Sequence, residues 1–149
     1  MEVKRMRRKT FILLTMVLAF SMLVMVSCSQ SSFGAVSVDD KTMTVTAENA
    51  SKDDTAVTGS LVVGEDEQIT IDSSLDGGGM QIEFFVDEGF DDMEEEPDLD
   101  EIQPTYTANV SGVESQAVQF GAGSFMVRAT ATEKKTNGKV EIHVKGFGE

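Results

Sequence analysis

The fold class is decided by residues 124–145, SFMVRATATEKKTNGKVEIHVK, near the end of the 149-residue chain. Apolar and polar side chains alternate here, and the dipeptide Asn137-Gly138 is typical of a two-residue hairpin turn. Turning the chain at that dipeptide places the apolar residues of both strands on one side: Phe125, Val127, Ala129, Ala131, Val140, Ile142 and Val144. We therefore predict a β-hairpin with one buried face, because a shift of one residue would expose these side chains.

The outward face of the same hairpin is polar. This register pairs Lys134 with Glu141 and Thr132 with His143. A histidine on a polar strand face, with no nucleophile or acid in reach, is typical of a solvated residue rather than a general base.

Alternation with period two recurs upstream, in short runs separated by Gly, Asp and Asn. The predicted strands are residues 42–47, 56–63, 68–73, 79–86, 105–111 and 115–120. Met80, Ile82, Phe84 and Val86 share one face of the fourth run, whereas Phe85 points to the other. The pattern predicts an all-β fold over residues 36–149, a single small antiparallel β-sandwich of the jelly-roll or immunoglobulin-like kind.

The N-terminus has the composition of a secretory signal. Five Lys and Arg residues within MEVKRMRRK precede the uncharged residues 10–28, and Cys28 is the sole cysteine. The apolar stretch 11–26 is slightly shorter than a typical membrane span of about 17 to 25 residues. An ordinary secretory signal with an incidental cysteine is the alternative interpretation.

Residues 25–28, MVSC, resemble the lipobox of bacterial lipoproteins, although Met25 stands where family members usually have Leu. This resemblance covers residues 1–28 alone. It implies that residues 1–27 are a signal peptide that is removed, and that Cys28 carries acyl chains anchoring the protein outside the cytoplasm on the bacterial cell membrane. Residues 28–35 are then predicted to be a tether.

A second resemblance concerns residues 113–146, where an apolar strand, Gly-x-Gly, an aromatic residue, an alternating strand and a closing strand follow one another. This order is similar to the end of prepeptidase C-terminal β-sandwich modules. The resemblance implies a domain that binds or stabilises rather than catalyses.

The charge of the mature chain is strongly negative. Without residues 1–27 the chain has 7 basic and 25 acidic residues, a net charge of −18. Nucleic-acid phosphates would repel such a protein, so nucleic-acid binding is excluded.

The densest carboxylate stretch is DEGFDDMEEEPDLDEI, residues 87–102, within a predicted acidic loop over residues 87–103. Its candidate calcium ligands are Asp91, Asp92, Glu94, Asp98 and Asp100, since Ca²⁺ prefers carboxylate oxygens. The stretch has no regular ligand spacing and its charges repel one another, which favours a mobile, solvated loop over an ordered metal site.

A second acidic stretch is DSSLDGGGMQIE, residues 72–83. Asp72, Asp76 and Glu83 match positions of a calcium-binding loop, but strand-like sequences flank them where that motif needs helices. A glycine-rich β-turn between two strands is the favoured interpretation.

Sequence signatures of enzymes are missing: the chain has no G-x-S-x-G, no H-E-x-x-H and no P-loop. The pattern predicts a non-catalytic lipoprotein that displays an acidic β-sandwich and binds a protein or peptide partner. A Ca²⁺-binding or cation-stabilised structural module is the alternative.

Overall fold

The computed structural model describes residues 30–89, 95 and 97–148. Residues 31–149 form one compact unit, which is built from seven antiparallel strands. The strands are β1 (Ser32–Asp39), β2 (Thr42–Ala50), β3 (Thr55–Val63), β4 (Glu67–Val86), β5 (Tyr106–Val118), β6 (Gly123–Ala131) and β7 (Thr136–Gly146). Their order is β1-β2-β7-β4-β6-β3, and β5 pairs with the other edge of β4. The predicted all-β antiparallel sandwich is confirmed.

The twenty-residue strand β4 organises the two layers of the sandwich. Its first part, residues 67–77, pairs with β7, and its second part, residues 80–86, pairs with β6. Strand β5 follows the opposite edge of β4 through both parts. The β4–β5 ribbon therefore passes from one layer to the other, with the corner at the three glycines 77–79.

The core lies between these layers and contains the residues that the alternation predicts to face inward. Every predicted apolar residue of the 124–145 stretch is buried, as are Met43, Val45 and Ala47 of β2. Val86 is the exception on β4, because its side chain lies half-exposed at the end of the strand. Full burial of a side chain such as Ile71 contributes about 1.5–3 kcal/mol, so the inward faces hold the layers together.

The sheet nearly closes into a barrel where the β1–β2 turn meets the end of β3. The Val62 N–H donates to the Asp40 carbonyl oxygen at 2.8 Å. Lys41 Nζ donates to the Val62 carbonyl oxygen at 2.9 Å and to Glu67 Oε2 at 2.6 Å. The bonds from Lys41 and from the Gly64 N–H lower the pKa of Glu67, so this carboxylate stays ionised where the sheet ends meet.

The predicted β6–β7 hairpin is wrong, although its inward face is right. The turn lies at residues 132–135, and β4 bonds to both strands, so β6 and β7 do not pair with each other. His143 lies opposite Thr42 of β2 and Thr70 of β4 rather than Thr132. Asn137 and Gly138 lie inside β7, where Gly138 passes close to the bend of β4.

The predicted glycine-rich turn within residues 72–83 is also wrong. These residues belong to β4 throughout, and a register shift marks the bend. Strand β5 has a corresponding bend at Gly112, whose φ is positive. The predicted strands 105–111 and 115–120 therefore belong to one continuous strand, β5. Glycine permits these sharp corners because its backbone reaches positive φ without steric cost.

The predicted tether extends too far. Residues 32–35 belong to β1, in which Phe33 and Ala35 pack against the core and pair with β2. The predicted signal peptide, residues 1–27, and Cys28 lie outside the described residues.

Candidate functional site

The carboxylates of the predicted calcium loop are spread along β4. Asp72 accepts a hydrogen bond from the Ser115 hydroxyl, Asp76 is exposed beside the bend, and Glu83 pairs with Arg128 at 2.7 Å. An extended strand cannot fold these three side chains around one ion. The structure therefore does not bring Asp72, Asp76 and Glu83 together.

The acidic segment after β4 is anchored to the sandwich over its last residues. Asp98 caps a 3₁₀ helix, Leu99–Glu101, by accepting the Asp100 N–H at 3.0 Å, and Leu99 is only 7% exposed. The prediction of a mobile loop is corrected here, because Leu99 buries an apolar side chain. Asp91, Asp92 and Glu94 lie outside the described residues.

Arg128 links this segment to the outer face of the sheet. Its Nε donates to Glu83 Oε2 and its Nη1 to Asp100 Oδ1, both at 2.7 Å, and its guanidinium lies 5.1 Å from the centre of the Phe85 ring. The bond to Glu83 contributes most to raising the pKa of Arg128, so the guanidinium stays charged. The outward-pointing Phe85 is therefore buried under Arg128 rather than exposed.

Within residues 30–89, 95 and 97–148, no group of three or more His, Cys, Asp and Glu side chains could hold a metal ion. His143 lies between the threonines opposite it on β2 and β4, as described above.

Strand β5 supplies a different kind of site, a sheet edge with which no other described strand pairs. The Phe147 N–H donates to the Asp66 carbonyl oxygen. Because successive residues of a strand direct their backbone groups to opposite neighbours, residues 66, 68, 70 and 72 bond toward β7. The alternate residues, Ile69, Ile71 and Ser73, direct their backbone groups toward β5. Their partners on β5 are residues 118, 116 and 114, so Ser115 and Ala117 direct their backbone groups away from β4.

Side chains of β5 itself occupy part of this edge. The Ser111 N–H donates to Glu114 Oε1 at 2.9 Å, and Gln116 Nε2 donates to the Asn109 carbonyl oxygen at 3.4 Å. No partner among the described residues bonds the outward backbone groups of Ser115 and Ala117. Residues 113–117, which contain these two, are called the open edge below.

The surroundings of the open edge are exposed and carry little charge. Glu114 is the one charged residue in β5, YTANVSGVESQAV. Val113, at the bend of β5, is 85% exposed, and Ser115 and Ala117 are also exposed. Natural edge strands usually carry charges, proline or covering segments that block pairing with another chain. Of these features, residues 113–117 have only the carboxylate of Glu114, whose Oε1 already accepts the hydrogen bond from the Ser111 N–H.

The open edge is not visible in the sequence. The neutral composition of β5 is visible in the sequence, but its position at an edge depends on the strand order. The aromatic residues nearby are structural: Tyr106 stacks on Phe120, and Phe120 meets Phe125 edge-on at 4.8 Å.

No protein-family model matches the chain, and no curated protein matches its sequence. Within the described part of the chain, no helix has the length and apolar character needed to cross a membrane.

Proposed function

We propose that this protein is a non-catalytic, extracytoplasmic lipoprotein that binds a segment of a protein partner along the open edge of β5. The observation that carries the proposal is the outward backbone of Ser115 and Ala117, to which no residue in the described part of the chain bonds. An extended peptide that adds as a further strand satisfies such groups, and strand addition is a recurring mode of peptide recognition. The low charge of β5 also favours the addition of a partner strand.

The anchor in this proposal is Cys28, through the lipobox-like residues 25–28. Strand β1 begins at Ser32, four residues after Cys28. Four extended residues reach at most about 14 Å, so acyl chains on Cys28 would leave little freedom between lipid and sandwich.

A photo-crosslinking experiment tests the binding site. A photoreactive amino acid at position 113 of the full chain, expressed in bacteria, is expected to capture one partner polypeptide through the β5 edge. Ala117→Pro should abolish the product, because proline removes the outward N–H while an edge strand tolerates it.

Position 36 is the matched control, because Val36 is an exposed valine on β1, at another edge of the sheet. Equal capture from positions 36 and 113, or capture that persists in a folded Ala117→Pro variant, would contradict the proposed site. Circular dichroism of the Ala117→Pro protein establishes that it is folded.

Detergent partitioning tests the anchor. Cys28→Ala should release the protein from membranes into the aqueous phase, because the acyl chains would have no attachment atom. The same partitioning for parent and variant would mean that residues 11–26 stay in the membrane as an uncleaved segment, and the lipidation hypothesis would be wrong.

A further inference from the structure

We infer that the occupant of the β5 edge is cationic: an extended segment with Lys or Arg at alternate positions, paired with residues 113–117. This inference rests on the proposed function, since it assumes that a partner strand adds to β5. It names the chemistry of that strand.

The β4–β5 ribbon is acidic. Its two strands contain no Lys or Arg, and their carboxylates are Glu67, Asp72, Asp76, Glu83 and Glu114. Lys41 and Arg128 neutralise the two carboxylates at the ends of this set, Glu67 and Glu83. The three carboxylates nearest the open edge have no cation in the ribbon to balance them.

Two of these carboxylates, Asp72 and Glu114, lie close to the position of an added strand. Asp72 lies directly across from Ser115 and accepts its hydroxyl bond. Glu114 lies on β5 itself, between the unpaired residues. The Cβ atom of a residue on the added strand would lie about 4.5–5.5 Å from the Cβ atom of the residue directly opposite it on β5, and about 7–8 Å from that of a diagonal neighbour. A lysine or arginine at alternate positions can therefore reach Glu114, or Asp72 past the short Ser115.

Charge also distinguishes between the possible occupants of the edge. A second copy of residues 28–149 would bring another net charge of −18 to the edge, and an acidic segment would be repelled for the same reason. A cationic strand is instead steered toward the ribbon, and complementary charge fixes its register.

The test uses the full chain, labelled with ¹⁵N and purified in detergent, with three synthetic nine-residue peptides as probes. The first alternates lysine and valine, and the second alternates glutamate and valine. The third repeats the first with N-methyl groups on the amides that would face β5, so that its charge is unchanged. Chemical shifts and hydrogen exchange of the Ser115 and Ala117 amides report pairing at the edge.

We expect the lysine peptide to slow exchange at Ser115 and Ala117, and the other two peptides to leave it unchanged. Ala117→Pro should weaken binding about tenfold or more, because it removes a backbone donor from the edge. Glu114→Gln should weaken it about two- to fivefold, as expected for a partly exposed ion pair. Ala117→Val, which keeps the N–H, should bind as the parent does.

Other outcomes would overturn the inference, each in a different way. Equal binding of the N-methylated peptide would mean diffuse charge attraction without strand pairing. Equal protection by the glutamate peptide would leave the proposed edge in use but its occupant not cationic. Absence of protection with both unmethylated peptides would remove the edge site itself. A dimer in sedimentation equilibrium that Ala117→Pro dissociates would make a second copy the occupant.

Discussion

Gly138 lacks a side chain because the bend of β4 passes directly against it. Its φ is +130°, and a Cβ there would overlap the Ser74 carbonyl oxygen. Gly138→Ala should therefore cost about 3 kcal/mol or more, or prevent folding, since backbone would have to move. Gly34→Ala is the control, because a Cβ at Gly34 meets no atom within 4 Å.

Chemical denaturation of both variants measures this difference. An unchanged free energy of unfolding in Gly138→Ala would contradict the close approach of β4 and β7 at this point. The sequence alone assigns Gly138 to a hairpin turn, where alanine would be unfavourable for a different reason, namely the positive φ of the turn.

Arg128 contributes to stability unequally through its two carboxylates. The side chain of Glu83 is 11% exposed and that of Asp100 is 85% exposed. Arg128→Met should cost about 3–5 kcal/mol, because it leaves the Glu83 carboxylate buried without its partner. Asp100→Asn should cost under about 1 kcal/mol, because water screens the exposed pair.

The double variant Arg128→Met, Glu83→Gln measures the net contribution of the Arg128–Glu83 ion pair to the free energy of unfolding. Removing both charges should recover much of the loss, since no buried charge then stays unpaired. Urea denaturation gives the three free energies. A loss in Asp100→Asn as large as that in Arg128→Met would mean that the acidic segment, rather than the Glu83 pair, depends on Arg128.

At the level of strands, the sequence predicts which residues face inward far better than which strands pair. Alternation is a local signal, and it identifies the buried faces of β2, β6 and β7. Pairing depends on contacts distant in sequence, so the Asn137-Gly138 dipeptide suggested a local hairpin where the chain instead crosses between layers. Glycine at a corner of a continuous strand and glycine in a turn give the same local pattern.

The candidate site, too, has features that the sequence shows and features that only the strand pairing determines. The carboxylates at Asp72, Asp76 and Glu83 are visible as a spacing, but their separation on one long strand follows from the course of β4. The open edge of β5 has no local signature except low charge. It exists because β6 and β7 both bond the opposite edge of β4.

An engineered disulfide tests this pairing of strands. Thr70 and His143 lie opposite each other on the outer faces of β4 and β7, within the usual Cα separation for a disulfide of about 4.4–6.8 Å. In a Cys28→Ala background, Thr70→Cys with His143→Cys should form a disulfide under oxidising conditions. Thiol titration and mass spectrometry measure its yield.

The matched pair is Thr132→Cys with His143→Cys, which the predicted hairpin would bring together. We expect free thiols there, because β6 and β7 pair with successive parts of β4: the Thr132 N–H donates to the Gly79 carbonyl oxygen, whereas His143 lies opposite Thr70. A disulfide in this second pair, and none in the first, would restore the hairpin and remove the strand order on which the β5 edge depends.

For the whole molecule, charge is the dominant property. Three of the seven Lys and Arg residues between residues 30 and 148, namely Lys41, Arg128 and Lys139, are in ion pairs with carboxylates. The remaining acidic excess repels itself, so added NaCl should raise the melting temperature, with most of the gain complete once the Debye length falls to about 10 Å at 0.1 M.

Calcium at matched ionic strength distinguishes this screening from a specific site. We expect CaCl₂ and MgCl₂ to give equal melting temperatures, because the described carboxylates of the calcium prediction lie apart or are engaged by Ser115, Arg128 and the 3₁₀ helix. A site that binds only the native state would instead give a stabilisation that grows with the logarithm of Ca²⁺ concentration above its dissociation constant. Saturable binding of micromolar Ca²⁺, with such a rise, would favour the cation-stabilised module. If this Ca²⁺-dependent rise in melting temperature persisted in Asp72→Asn, it would indicate that carboxylates outside β4 bind the ion.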